Sequence, residues 1–180
     1  MKIADLRDRM PFILRAICLS LLLMPASDLV WAQAQGANVA FGSMKGDPTK
    51  PVEVTSDQLT VNQADGTAIF TGNVLVVQGE MRLTAPSVTV EYAETTKKIT
   101  RMHATGGVTL VNGGESAESQ EAVYTVDDGH VLMTGNVLLT QGSSAISGQR
   151  LNVDLVTGTG LMEGRVQTVF VPGQTSGEQP

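Results

Sequence analysis

The chain is poor in the groups on which most active sites and many compact cores depend. Its 180 residues include one cysteine, two histidines, one tryptophan and two tyrosines. The single Cys18 lies in the apolar N-terminal run "PFILRAICLSLLLMPASDLVWA", and Ile17 before it is not the small residue a lipoprotein site requires. Beyond that run there is no thiol, hence no disulfide and no cysteine metal site. Positive charge is also scarce, with 12 Lys+Arg against 18 Asp+Glu. Residues 1–34 hold four of the bases and three of the acids, so 8 against 15 remain, a net charge of −7 and the wrong sign for a nucleic-acid partner. Long apolar stretches are missing too. Arg15 and Asp28 leave twelve uncharged residues between them, whereas a membrane helix needs about 20.

What the N-terminus does have is an export pattern. Lys2, Arg7, Arg9 and Arg15 accompany the apolar run, and Ala32-Gln33-Ala34 closes it with the small-x-small form of a signal-peptidase site. Residues 1–34 therefore read as a cleavable signal peptide, with the mature chain beginning at Gln35 and an uncleaved anchor as the alternative. Removing 34 of 180 residues leaves 146, enough for one domain with a core. Residues 35–50, "QGANVAFGSMKGDPTK", are small and polar without a period, which predicts a flexible N-terminal segment. Past the signal the only aromatics are Phe41, Phe70, Phe170, Tyr92 and Tyr124, so the interior must be filled mainly by Val, Leu, Ile and Met.

The remainder repeats itself. "FTGNVLVVQG" from Phe70 returns as "MTGNVLLTQG" from Met133 with seven of ten letters unchanged, and looser copies begin at Ala104 and Met162. The shared glycines, Gly72, Gly106, Gly135 and Gly164, are spaced by 34, 29 and 29 residues, which is an internal repeat. Turn pairs recur at fixed offsets: Gln78-Gly79, Asn112-Gly113 and Gln141-Gly142 after the glycines, Asp65-Gly66, Asp128-Gly129 and Thr157-Gly158 before them. Such pairs supply the positive φ that tight hairpins need. Between them Val, Thr, Ile and Leu dominate, so each unit reads strand, turn, strand, turn.

Parity then assigns a buried face. Counted from each glycine, even offsets carry Phe70, Ala104, Met133 and Met162 before it, and Val74, Val108, Val137 and Val166, then Val76, Leu110, Leu139 and Thr168, after it. On the returning strands the same face carries Val88, Val90, Tyr92, Ala122, Tyr124, Val126, Leu151, Val153 and Leu155, and an earlier copy places Leu59 and Val61 there. A hairpin at Gly72-Asn73 would pair the polar Thr71 with Val74 on one face. Thr71, Thr105, Thr134 and Glu163 are all polar, so the strand instead passes through the glycine, which marks a bend. About eight bent passes stacked together predict an all-β fold: two facing V-shaped antiparallel sheets of about 16 short strands, from repeats of about 29 residues. A parallel β-helix is the competing architecture, but its coils need no alternating two-residue hairpins.

The residues offer no catalytic constellation. His103 and His130 fall at odd offsets and point outward, and neither a metal nor a cofactor is expected. Glu115, Glu118 and Glu121 suggest a carboxylate pair for glycoside cleavage, yet a polar strand edge after "NGGE" accounts for them more simply. The glycines recur at turn offsets and open no helix, so a phosphate loop is unsupported. Lys97, Lys98 and Arg101, in the five-residue insertion of the first unit, are either a solvated turn or contacts for phosphate groups.

The stretch "SDQLTVNQADGTAIFTGNVLVVQGEMRLTAPSVTVEY", Ser56 to Tyr92, resembles the OstA-like domain of the LptA family through Ser56-Asp57, Phe70 to Val74, Gln78-Gly79 and the Ala85 to Val90 strand. The resemblance spans about Val52 to Phe170 and implies an open β-jelly roll over 51–171, with 172–180 as a disordered C-terminal tail. It also implies a periplasmic, non-enzymatic carrier that moves lipopolysaccharide from inner to outer membrane. Its partners would be an LptC-like inner-membrane protein, an LptD-like outer-membrane protein and further copies of the chain joined head to tail. Lipid A acyl chains are then expected against the even-parity face: Phe70, Val74, Val76, Val88, Val90, Val108, Leu110, Tyr124, Met133, Val137, Leu139, Leu151, Val153 and Met162. Scarce aromatics and flexible methionines suit such a groove. A structural scaffold with the same strands and a filled core is the alternative.

Overall fold

The computed structural model describes residues 37–40 and 44–170; the expected signal peptide and C-terminal tail lie outside them. All regular structure among the described residues is β. The strands are β1 (Ala37–Ala40), β2 (Glu53–Thr55), β3 (Gln58–Asn62), β4 (Thr67–Gln78), β5 (Met81–Tyr92), β6 (Ile99–Asn112), β7 (Glu115–Thr125), β8 (His130–Gln141), β9 (Ser144–Asp154), β10 (Thr159–Glu163) and β11 (Gln167–Val169). They form one antiparallel sheet of order β1-β10-β9-β8-β7-β6-β5-β4-β2, with β3 also on β4 and β11 also on β9.

Turn chemistry sets the hairpins. Gly66, Gly79, Gly113, Gly129, Gly142 and Gly158, one in each expected turn pair, have φ between 57 and 71°. The bends are equally local in origin. In β4 the pair Gly72 and Asn73 takes φ of 78 and 45°, and in β8 Gly135 and Asn136 take 84 and 50°. Two successive left-handed residues add one residue to the strand, so Thr71 faces Ser87 while Val74 already faces Ala85. The result is a β-bulge that kinks the strand without ending it. The same shift recurs in β6 and β8.

Each pass therefore contributes one half to each of two arms. The first arm holds β3, β10 and the halves of β4 to β9 near Phe70, Val88 and Met133; the second holds β2, β11 and the halves near Val76, Leu110 and Leu139. The inner faces of the arms bury one another and form a single apolar cluster. Eight passes are present as expected. Among the described residues the count is eleven strands rather than about 16, because β4 to β9 run unbroken through the bend, only the first and last passes are split, and β1 is added.

Two expectations need correction. Residues 35–50 are not a free tether over their described part: β1 pairs with β10, with Ala37 opposite Met162, and Met44 is fully buried. A period-free stretch has no local signal, yet it gains order here from an edge strand and an apolar pocket that the repeats create. Leu59 and Val61 do lie on the inner face, opposite Phe70 and Ala68, but they are 54% and 60% exposed because β3 is an edge strand with no neighbour beyond it.

Candidate functional site: the enclosed apolar face

The sequence-assigned face is assembled as two rows that run across the strands. In the first arm Leu59, Phe70, Val88, Ala104, Ala122, Met133, Leu151 and Met162 are successive cross-strand partners. In the second, Val54, Val76, Leu83, Leu110, Ala117, Leu139 and Ile146 do the same. Strands lie about 4.8 Å apart, so each row is a continuous apolar strip along the stack. Of the fourteen expected lining residues, Phe70 is half-buried near the open end. Val74, Val76, Val88, Val90, Val108, Leu110, Tyr124, Met133, Val137, Leu139, Leu151, Val153 and Met162 are all between 0 and 2% exposed. The arms thus meet closely along their length.

The inner face turns polar at the tips of the second arm. Gln78, Asn112, Glu115 and Gln141 occupy the inner parity, two residues beyond Val76, Leu110, Ala117 and Leu139. Gln141 Nε2 donates to Glu115 Oε1 across adjacent strands. The Tyr124 hydroxyl, from the first arm, donates to Gln78 Oε1 at 2.6 Å and ties the arms together. Burial pushes the Tyr124 hydroxyl up to about 12, since a phenolate there would lose its water. At the open end of the first arm a cleft of about 750 Å³ is lined by Val61, Asn62, Asp65, Tyr92, Glu94 and Lys97, among others.

This arrangement, a bent antiparallel stack enclosing an apolar strip, has known counterparts. Residues 53–159 match the family described as LptA/(LptD N-terminal domain) LPS transport protein. The chain belongs to that family. Lipopolysaccharide export system protein LptA of Escherichia coli (strain K12) is 29% identical over 176 residues, which cover 87% of this chain and 87% of that one. An uncharacterized protein of Rhizobium meliloti (strain 1021) is 29% identical over 152 residues, 78% of this chain and 82% of its own. Among solved structures, LptH of Pseudomonas aeruginosa, described as the LptA homologous periplasmic component of the lipopolysaccharide transport device, superposes with a TM-score of 0.63. The match is 18% identical and covers 71% of this chain and 99% of that one. It supports the open β-jelly roll.

The remaining candidates from the sequence are placed outside the strip or divided. His103 lies on the outer face, 3.4 Å from Glu121, and His130 is exposed with Nδ1 3.0 Å from the Asp128 carbonyl. The cluster Glu115, Glu118 and Glu121 is not a unit: Glu118 and Glu121 are exposed, while Glu115 is 3% exposed on the inner face. Parity decides this, because 115, 117 and 119 face inward and 118 does not. Lys97, Lys98 and Arg101 are exposed, with Lys97 and Lys98 on the turn closed by the Lys97 N–H to the Ala93 carbonyl and the Ala93 N–H to the Lys98 carbonyl. Sequence reasoning left Met81, Leu83, Met102, Ala117 and Ile146 out of the lining set although they share its parity and burial. It also took Gln78, Asn112 and Gln141 as turn residues only, and the same count by twos would have found them.

Proposed function

We propose that this protein is a periplasmic carrier of lipopolysaccharide that shields lipid A acyl chains between its two arms on the way from inner to outer membrane, without catalysing a reaction. The observation that carries this reading is the pair of apolar rows, the first running unbroken across all eight passes and the second across seven, with Leu59 and Val61 exposed on the inner face at the β3 end. Each acyl CH₂ moved from water onto such a surface contributes about 0.8 kcal/mol, so a few chains outweigh repulsion between an anionic lipid and an acidic protein. The relatives named as lipopolysaccharide export proteins support the same cargo. Partners in this reading are an LptC-like inner-membrane protein, an LptD-like outer-membrane protein and other copies of the chain, met through the sheet edges.

A scaffold without cargo is the second reading, favoured by the 0–2% exposure of the strip. The two separate in cells. A photo-crosslinking residue at Val108 or Leu139 is expected to capture lipopolysaccharide, and one at the outward Thr109 is not. No capture at either inward position in a folded protein, or equal capture at Thr109, supports the scaffold.

A further inference from the structure

The segment Met44 to Lys50 lies across the open side of the V. Successive residues bond to opposite arms: the Lys45 carbonyl accepts from Asn112 Nδ2 at 3.0 Å at a tip of the second arm, and the Gly46 N–H donates to the Leu155 carbonyl at 2.8 Å at a tip of the first. Gln78 Nε2 then donates to the carbonyls of Pro48 and Lys50 at 3.1 and 2.9 Å. Met44 is fully buried in the apolar cluster. The segment thus closes the space into which the apolar rows face.

We infer that Met44–Lys50 is a displaceable strap: it seals the mouth of the V in the empty protein, Met44 fills apolar space that an acyl chain takes, and lipid enters only after the strap is released. This rests on the carrier reading above. The strap is held by four isolated hydrogen bonds and one side chain, not by a strand ladder. Its own turn is preformed, since the Thr49 N–H and hydroxyl both donate to Asp47 Oδ1 and the Lys50 N–H donates to the Asp47 carbonyl, so it can leave as a unit. The closed state is imperfectly matched. Asn112 Oδ1, on the side chain that bonds to Lys45, and Glu115 Oε2, on its cross-strand neighbour, are buried with no hydrogen-bond partner among the described residues, and a cleft of about 590 Å³ is lined by Pro48–Val52, Lys98, Ile99, Val126 and Asp127. The strip behind it is 0–2% exposed.

The geometry supplies the test. A Cβ placed on Gly46 stands 3.3 Å from Leu155 Cβ, near the roughly 3.8 Å typical of a disulfide. With Cys18→Ser removing the only native thiol, the Gly46→Cys, Leu155→Cys double variant of the full chain, exported and purified, locks the strap when oxidised. Binding of an environment-sensitive fluorescent fatty acid and of purified lipopolysaccharide is then measured in both redox states. The oxidised form is expected to bind at least about tenfold more weakly than the reduced form, which matches wild type. Equal binding in both states, with the disulfide confirmed by mass, overturns the strap and leaves the carrier intact. Absence of binding by wild type itself sinks the carrier reading and the strap with it. If the cysteine pair does not fold, Asn112→Ala makes the opposite change. Loss of the bond to Lys45 is expected to speed probe uptake, and a rate equal to or below wild type overturns the inference.

Discussion

Tyr124 is 1% exposed and its hydroxyl, donating to Gln78 Oε1, is a polar bridge between two apolar arms. Gln78 is held in turn by the carbonyls of Pro48 and Lys50, so one phenol fixes the amide that anchors the strap. Because burial raises its pKa from 10.0 to about 12, the neutral form is favoured by folding. That contribution is complete below pH 10 and is lost as pH rises through about 12. Tyr124→Phe leaves Gln78 Oε1 buried without its donor, at an expected cost of about 1–3 kcal/mol. The difference from wild type, measured by urea unfolding, is expected to be largest near about pH 8 and to shrink by about pH 11. A pH-independent difference would mean that the hydroxyl is not desolvated as described.

At the scale of the element, the bend decides whether a pass serves one arm or both. Gly135 has φ of 84°, and a Cβ there would lie 2.7 Å from Gln120 Oε1 and 2.8 Å from Gln120 Cβ on the preceding strand. Gly107 has φ of 98° but nothing within 4 Å of an added Cβ. Gly107→Ala is therefore expected to cost only backbone strain, about 1 kcal/mol, and Gly135→Ala to cost more, about 2–3 kcal/mol, from strain and contact together. Thermal unfolding of the pair checks this, and equal losses would show that strain alone sets the bend. Passage of the strand through these glycines was legible, because Thr71, Thr105 and Thr134 before them are polar while Val74, Val108 and Val137 after them are not. The partner each bend leans on, Asp57 for Gly72, Pro86 for Gly106, Gln120 for Gly135 and Gln149 for Gly164, was not. Those contacts depend on cross-strand register at a bulge, which adds a residue that a count by twos does not see.

For the whole molecule the question is what the ends of the stack do. In the structure β1 covers β10, and that end presents β1 in the first arm and β11 in the second, with Val169 and Phe170 63% and 75% exposed. The first end presents β3, with Leu59 and Val61 exposed on the inner face. Unpaired edges with apolar inner residues favour addition of another strand, and a stack with two different ends joins head to tail. Leu59→Lys with Val61→Lys places charge on that edge and is expected to shift the oligomer distribution in light scattering toward monomer. Both sites are more than half exposed, so circular dichroism should stay unchanged. An unaltered distribution would argue that assembly uses another surface.

The sequence by itself determined the strands, the hairpins, the bends and the face each residue takes. These depend on turn residues with positive φ and on a period of two, and both are read within a few positions. It also placed thirteen of the fourteen residues it expected to line a groove on a fully buried strip, for the same reason. Only the tertiary structure decided that residues before the first repeat complete the fold, that Gln78, Asn112 and Glu115 form a polar rim, and that the mouth of the V is crossed by Met44 to Lys50. Those features rest on bonds between residues far apart in the chain, such as Tyr124 with Gln78, Asn112 with Lys45, Gly46 with Leu155 and the β1–β10 ladder. Such pairs leave no periodic trace in the chain, because their meeting is set by how the repeats stack and not by what either neighbourhood prefers locally.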